Sequence, residues 1–166
     1  MPASSYALLG CKQPSAYITY RNLSSASYQA PGTAAAVSWT NTPTPIVFAH
    51  TSIGPSGNIS DINVGNTDYD GIVSLNGAAW GSKYCPNGLI NYWSAAWNTY
   101  HTNSYSALVR QSIMAHELGH IIGLAHTGPS SPCGAMPLMW IFTSGRATCG
   151  IVTPRLDDMR GANELY

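Results

Sequence analysis

Charged side chains are scarce in this chain. Aspartate, glutamate, lysine and arginine make up 8% of its 166 residues, whereas apolar residues make up 45%. In soluble domains about 25% of residues are usually charged. Seven cationic and seven anionic residues leave a formal net charge of zero with histidine neutral. Disorder driven by charge is therefore excluded, and the composition predicts a chain that buries a core.

Two classes of partner are disfavoured by what the sequence lacks. A nucleic-acid backbone requires several clustered cations, but the lysines and arginines of this chain lie far apart. They are Lys12, Arg21, Lys83, Arg110, Arg146, Arg155 and Arg160. No apolar run approaches the roughly 18 to 20 residues that a helix needs to cross a bilayer. We therefore expect no nucleic-acid partner and no membrane span.

The N-terminus and the cysteines indicate the compartment. Residues 1–10 lack the basic and long apolar parts of a signal peptide, so we expect that a targeting segment has been removed ahead of them. Four cysteines without a Cys-x-x-Cys pair favour two disulfides and an oxidising, extracytoplasmic setting. Of the three pairings, Cys133 with Cys149 and Cys11 with Cys85 requires the least chain rearrangement. The alternative is four buried free thiols in a cytosolic protein.

The order of the predicted elements indicates an α+β fold in a single domain, residues 1–166. No internal repeat, charge block or long linker divides the chain. Strands are predicted at 15–22, 46–50, 59–64, 71–75 and 89–93. Helices are predicted at 33–40, at 105–123, and at 153–166 with Pro154 at the first helical position. Strands followed by a long helix and a closing helix do not form a parallel βαβ array.

The long predicted helix carries a cluster of metal-binding side chains in the motif HELGHIIGLAH, which begins at His116. His116 and His120 are four residues apart, so both imidazoles project from one helix face and can bind one ion. Gly123 can adopt a left-handed conformation that turns the chain back, which makes His126 a third ligand. Glu117 lies beside the metal position and is the candidate general base. The alternative is a surface helix end where the histidines are caps or solvated groups.

Three neutral imidazoles predict a catalytic zinc ion. They leave one position of tetrahedral zinc open to water, as catalytic sites do. Zinc lowers the pKa of such a water from about 15.7 towards about 7, which makes a nucleophile at neutral pH. Glu117 would take the proton of this zinc-bound water and pass it to the leaving amine. The predicted reaction is hydrolysis of a peptide bond. Spacing alone does not separate zinc from other divalent ions, but histidine-rich tetrahedral sites favour zinc.

The motif resembles the signature of the metzincin metallopeptidases, HExxHxxGxxH followed by a methionine-containing turn. Within that family the chain is most similar to the matrixins. ITYRNL at 18–23 is similar to their first strand, WTNTP at 39–43 to the end of their first helix, and 157–166 to their closing helix. The resemblance implies a twisted, mostly parallel five-stranded sheet, a long active-site helix and a C-terminal helix.

The resemblance offers two candidates for the methionine of the turn. Met139 is preferred over Met136 because Pro-Leu-Met-Trp at 137–140 is closer to the Leu-Met-Tyr turn of the family. Met139 is expected to form an apolar floor under the histidines, and Met136 to fill the core or a loop. No tyrosine stands two residues after either methionine. The extra tyrosine ligand of astacin-like and serralysin-like metzincins is therefore not expected.

Further metal sites of animal matrixins have no clear counterpart here. The histidine and aspartate set of their structural zinc is not recognisable, and His50 and His101 are isolated, so we expect both to be solvated or hydrogen bonded. Asp68, Asp70 and Gly71 offer oxygens to calcium, but calcium takes about six to eight oxygens, so a turn is favoured. We predict one catalytic zinc ion and leave calcium open as an additional ion.

The resemblance also implies how a substrate is held. Segment 75–80 lies where matrixins use an edge strand to pair with the peptide. Cys133 and Cys149 bracket the turn and the wall of the pocket for the residue after the scissile bond, and a disulfide there would stiffen this wall. A hydrophobic substrate side chain is implied at that position. Trp80, Trp93, Trp97 and Trp140 are candidates to line the groove, although aromatic residues more often belong to the core or the ordinary surface.

The sequence thus favours a secreted zinc endopeptidase that acts on proteins or peptides, and we expect it to be a monomer. The main alternative is a catalytically idle module that binds peptides or matrix polymers on the same fold. Glu117 argues against it, because a binding module does not need a carboxylate beside the zinc water. A structural zinc domain would need a fourth protein ligand, and no spare cysteine or histidine stands near the motif.

Overall fold

A computed structural model describes residues 6–79, 84–127 and 133–166. The strands are β1 Ala7–Leu8, β2 Tyr17–Asn22, β3 Val47–His50, β4 Gly57–Ile62, β5 Gly71–Leu75, β6 Trp93–Asn98 and β7 Leu124–Ala125. The α-helices are α1 Ala26–Thr40, α2 Thr99–Thr102, α3 Ala107–Ile122, α4 Thr143–Thr148 and α5 Leu156–Leu165, and one 3-10 turn covers Pro86–Gly88. None of the helices within these ranges is both long enough and apolar enough to span a membrane.

Five strands form one mixed sheet in the order β3-β2-β4-β6-β5. All neighbours are parallel except β5, which runs antiparallel to β6 at one edge. Helices α1 and α3 pack against each other and against this sheet. Two buried indoles join the layers: Trp39 of α1 donates to the Ala115 carbonyl, and Trp97 of β6 donates to the Arg110 carbonyl. The mostly parallel five-stranded sheet, the long helix and the C-terminal helix are confirmed.

Helix α1 begins at Ala26, so the predicted start at residue 33 is wrong. Pro31 lies inside the helix, where its missing N–H deprives the Ser27 carbonyl of its usual partner. The buried Arg110 of α3 replaces that partner by donating from Nη1 to the Ser27 oxygen at 3.0 Å. Its guanidinium also lies over the Tyr28 ring, 4.1 Å from the ring centroid. A side chain distant in sequence thus allows the helix to continue through a residue that usually ends one.

The fifth strand lies later than predicted. Residues 89–92 lead into β6, which extends from Trp93 to Asn98, so the strand predicted at 89–93 is wrong in its bounds. β6 is paired on both sides, by β4 and β5, and its residues from Ala95 onward are all buried. A strand buried on both faces lacks the alternation of polar and apolar residues by which strands are recognised. The other predicted strands and the long helix overlap observed elements.

The closing helix α5 begins at Leu156, with Arg155 as its N-cap residue. Pro154 therefore precedes the helix and does not occupy its first position as predicted. The Asp158 side chain accepts from the Arg155 backbone N–H at 2.8 Å, which fixes the helix start. At the other end, the Tyr166 hydroxyl donates to the Ile122 carbonyl and accepts from the Gln13 backbone N–H. The C-terminus is thereby attached to the end of α3.

Two disulfides join Cys11 to Cys85 and Cys133 to Cys149. This is the pairing that the sequence favours, and it rules out four free thiols. The first bridge connects the segment after β1 to the 3-10 turn, and the second connects the segment before the methionine turn to the end of α4. Both bridges therefore constrain irregular segments, which the hydrophobic core alone holds less well.

The loop between β4 and β5 is organised by Asn98. Its side chain is fully buried, and its Nδ2 donates to the carbonyls of Gly65 and Tyr69, both at 3.0 Å. Its Oδ1 accepts from the backbone N–H groups of Val64 and Tyr100, both at 3.2 Å. One amide thus satisfies backbone groups on both sides of the loop.

Replacing Asn98 by alanine is expected to lower the free energy of unfolding by about 2–3 kcal/mol, because several buried backbone groups lose their partner. Asn58→Ala is the matched control, since the Asn58 side chain donates to one hydroxyl, that of Tyr92. That control should cost less than about 1 kcal/mol. Urea unfolding of both variants measures the difference, and equal losses would show that the Asn98 network adds nothing to stability.

Candidate metal centre

Three histidines are brought together by α3 and the turn that follows it. His116 and His120 lie one turn apart on the buried side of α3. The helix ends at Gly123, whose φ of 111° is left-handed. A Cβ at Gly123 would also lie 2.2 Å from the Cys11 carbonyl oxygen, so both conformation and space require glycine there. The chain then reverses through β7 and places His126 against the other two rings.

The three imidazoles point their Nε2 atoms at a common position. The His126 Nε2 lies 3.1 Å from the Nε2 atoms of both His116 and His120. Backbone carbonyls accept from the Nδ1–H groups of two of these rings: Leu138 from His116 at 2.8 Å and Leu124 from His120 at 2.7 Å. In the neutral rings a proton on Nδ1 leaves Nε2 as a bare lone pair.

This donor set fits a divalent metal ion. The bare Nε2 lone pairs of His116 and His120 both lie 3.1 Å from the His126 Nε2, so one cation placed between the rings would reach all three nitrogens. Zinc–nitrogen bonds of about 2.0–2.1 Å in a tetrahedron separate the nitrogens by about 3.3 Å, close to this spacing. Hydrogen bonds from Nδ1 to carbonyls are the usual outer contacts of histidines that bind metals. Within the described ranges, this is the one cluster of three or more His, Cys, Asp or Glu side chains with metal-ligand spacing.

Burial keeps the histidines neutral in the metal-free chain. It lowers the pKa of His116 well below its ordinary value and that of His120 to about 4, and it also lowers the pKa of His126. Neighbouring imidazoles and the Arg146 guanidinium lower the pKa of His116 and His120 further. Since a metal binds only the unprotonated ring, protons compete weakly for this cluster near neutral pH.

The methionine turn, residues 137–140, lies under the histidines and is fixed by a side chain of α5. Met139 is buried, and its Sδ packs so closely on α3 that a Cβ at Gly119 would lie 2.2 Å from it. The Asp158 carboxylate of α5 accepts from the backbone N–H groups of Leu138 at 2.8 Å and Met139 at 3.0 Å. The Leu138 carbonyl in turn orients His116. Asp158 was placed by the sequence in the closing helix, but its link to the metal cluster depends on tertiary contacts.

Met136 is also buried and packs towards Gly145 of α4, as a core residue would. Met139 contacts α3 at Gly119. Of the isolated histidines, His101 is hydrogen bonded through Nε2 to the Thr67 carbonyl, and His50 is exposed and contacts the Tyr20 ring edge-on.

Calcium finds no support in the loop that carries Asp68 and Asp70. Over residues 6–79, 84–127 and 133–166, no third acidic or histidine side chain joins these two in a metal-sized group. The Gly65 and Tyr69 carbonyls of this loop already accept from the Asn98 amide. The Asn98 amide therefore organises this loop.

Glu117 lies beside the histidines in a poorly hydrated environment. Its side chain is 7% exposed. Burial raises its pKa to about 8, with the Arg146 guanidinium opposing this shift and Asp70 adding to it. No hydrogen bond from the described part of the chain holds its carboxylate. A bound cation nearby would favour the ionised form of this carboxyl group.

Arg146 is a site residue that sequence reasoning missed. It lies on the short, unpredicted helix α4, is 1% exposed, and donates to Ser112 Oγ, Thr143 Oγ1 and the Trp140 carbonyl. Its charge acts on Glu117 and on His116. In the sequence Arg146 is one of several dispersed cations, and no local pattern indicates that α4 folds back onto α3.

A cleft of about 730 Å³ opens over the histidine cluster. Its walls come from β5, from the segment 141–143 after the methionine turn, and from the loop that ends at Asp70. Exposed apolar side chains of Ile141 and Phe142 stand at one side. Trp93 and Trp97 are fully buried core residues and do not line the groove, and Trp80 lies outside the described residues.

The metal-free chain should lose stability as the pH rises from 6.5 to 8. The pKa of Glu117 is about 8 in the fold, against an ordinary value of 4.5. The unfolded chain therefore loses this proton at a lower pH than the folded chain does, and the free energy of unfolding falls as the pH rises between these two values. From pH 6.5 to 8 the expected loss is about 2 kcal/mol. The lowered pKa values of His116 and His120 have the opposite effect, because they reduce stability as the pH falls below 6.5.

Urea unfolding of the chelator-treated chain at pH 6.5 and 8 measures this loss, and Glu117→Gln is the matched variant. Because glutamine does not titrate, that variant should keep its stability across the interval. If both chains lose the same amount of stability, a group other than Glu117 causes the loss between pH 6.5 and 8.

No protein-family model and no curated protein matches this sequence. Among solved structures, myroilysin is similar with a TM-score of 0.47 and 18% identity over 73% of this chain. The chain spans about half the length of that protein, since the match covers 54% of it. The site itself therefore carries the functional conclusion.

Proposed function

We propose that this chain is a secreted zinc-dependent endopeptidase of the metzincin type, with a matrixin-like catalytic domain. The observation that carries the proposal is the convergence of three Nε2 atoms beside a buried carboxylate at the base of an open cleft. His116, His120 and His126 would hold the metal, and Glu117 would act as the general base. A carboxylate in this position has no role in a site that only holds a structural ion.

In the reaction, bound zinc supplies a Lewis acid that activates water and polarises the scissile carbonyl. Glu117 accepts the proton of the attacking water on a carboxylate oxygen and later gives it to the nitrogen of the leaving amine. His116 and His120 keep their protons on Nδ1 throughout, because the Leu138 and Leu124 carbonyls accept them. The buried environment of Glu117 limits exchange of that proton with bulk water.

The substrate we propose is an extended peptide or protein segment. In the part of the chain that the structure describes, β5 pairs with β6 alone, and residues of β5 line the cleft. An extended chain can add to such an edge through backbone hydrogen bonds, which is tolerant of sequence. Ile141 and Phe142 also line the cleft and favour an apolar side chain next to the scissile bond. Two disulfides support an extracellular location, and we propose a monomer.

The test is cleavage of denatured gelatin or casein by the full chain. The chain is stripped with a chelator and then reloaded with one equivalent of zinc, with calcium alone as a parallel arm. Cleavage that disappears on stripping and returns with zinc supports the proposal. A chain that binds one zinc ion and cuts neither protein would overturn it and favour a catalytically idle peptide-binding module.

A further inference from the structure

The first residue of β5 is a glycine without a conformational reason to be one. Gly71 pairs with Trp97 of β6 in regular antiparallel register, and its φ lies outside the left-handed region. Glycine inside a strand is usually unfavourable, because it has no side chain to pack and loses more backbone entropy on folding. Such a residue often marks a place where something approaches the backbone closely.

At Gly71 the approaching group is the Glu117 side chain. A Cβ at this position would lie 2.4 Å from Glu117 Oε1 and 2.9 Å from its Cδ. It would also lie 2.7 Å from Cγ2 of Ile113, one helical turn earlier on α3. Real Cβ atoms essentially never approach other heavy atoms within 3.0 Å, so any larger residue would force the carboxylate or the strand to move.

This contact matters because little else restrains the carboxylate. Helix α3 fixes the backbone of Glu117, but its side chain still has three rotatable bonds. Among the residues that the structure describes, none donates a hydrogen bond to its oxygens. Beside the attraction of the Arg146 charge, close packing against the β5 backbone limits where the carboxylate can lie relative to the histidines.

We infer that Gly71 is a positioning residue for Glu117: the missing side chain lets the edge strand lie directly against the carboxylate and hold it beside the histidine cluster. One contact thus packs β5, which borders the cleft, against Glu117, the proposed general base. This inference rests on the proposed function only in the role it gives to Glu117, since the contact itself is a property of the fold.

The first experiment measures activity and metal binding of Gly71→Ala in the zinc-loaded full chain. We expect kcat to fall about 10- to 100-fold, because a shift of about 1 Å in a reacting group costs that much. KM should change less than about twofold, and zinc affinity in competition with a chelator should be unchanged. Gly134→Ala is the matched control, since nothing lies within 4 Å of a Cβ there and its φ is not positive. A Gly71→Ala variant with parental kcat would overturn the inference.

The second experiment does not depend on activity. In the metal-free chain, Gly71→Ala should lower the melting temperature by about 5–10 °C, as overpacking does in a chain of this size. In a Glu117→Ala background the same change should cost about half as much, because the clash with Ile113 remains and the clash with the carboxylate is gone. Equal losses in the two backgrounds would overturn the inference.

The two experiments separate the two hypotheses. If the parent chain cleaves nothing, the proposed function fails, while the melting temperatures still decide whether Gly71 and Glu117 are in contact. If Gly71→Ala does not fold in the parent but folds in the Glu117→Ala background, the contact is supported. If it folds in neither background, Ile113 or the strand itself requires the glycine, and the inference fails.

Discussion

Glu117→Ala is expected to stop peptide hydrolysis while the chain keeps its metal. In the proposed reaction, this carboxylate takes a proton from water and returns it to the leaving amine. General acid–base catalysis of this kind contributes about 10²- to 10⁴-fold, and we expect kcat to fall within that range. The metal should remain, because the three imidazoles are independent of this side chain.

The measurement pairs cleavage of casein with the zinc content of the purified variant. Glu117→Gln is the closest control, since glutamine fills the same space without accepting a proton. His120→Ala should behave differently, because it removes a ligand and so loses metal and activity together. A Glu117→Gln variant that retains a tenth or more of parental kcat would show that another group acts as the base.

Asp158→Ala is expected to destabilise the fold and weaken metal binding at the same time. Its carboxylate is 1% exposed and accepts from three backbone N–H groups, those of Leu138, Met139 and Arg155. Removing it leaves two buried donors and one partly buried donor without this partner, so we expect the free energy of unfolding to fall by about 3–5 kcal/mol. Burial raises the pKa of Asp158 while the three N–H groups oppose that shift.

Asp158→Ala is expected to lower metal affinity because it disturbs the methionine turn. The Leu138 carbonyl accepts from His116 Nδ1, and the Asp158 contact fixes the position of that carbonyl. Loss of an outer contact of this kind typically costs about 10- to 100-fold in metal affinity. Urea unfolding and chelator competition measure the two effects. Asp68→Ala, which removes an exposed carboxylate, should stay within about 0.5 kcal/mol of the parent. Unchanged zinc affinity in Asp158→Ala would show that the turn holds His116 without help from α5.

The three clustered histidines were accessible from sequence because their relation is local. His116 and His120 share one helix face, and Gly123 provides the left-handed end that turns the chain towards His126. The spacing of a helix is fixed by its backbone hydrogen bonds, so these positions can be read without any knowledge of the rest of the fold. Met139 could be proposed for a similar reason, since it follows the motif within a short segment.

Elements whose structure depends on distant partners were placed less well. Helix α1 passes through Pro31 because Arg110, far along the chain, bonds the carbonyl that proline leaves free. β6 has buried residues on both faces, so it lacks the pattern of a half-exposed strand. Helix α4 was not predicted, and with it Arg146 was missed. In each case a contact across the fold overrides the local preference.

The sequence by itself determined that the three histidines and the candidate base lie together, because their spacing follows from short-range helix geometry, and it favoured the disulfide pairing that is observed. Tertiary structure alone decided which groups hold that site in place. Asp158 supports the methionine turn, the charge of Arg146 acts on Glu117 and His116, and Gly71 leaves room for the carboxylate. These relations join α5, α4 and β5 to α3, and burial and close packing between such distant segments depend on the folded chain as a whole.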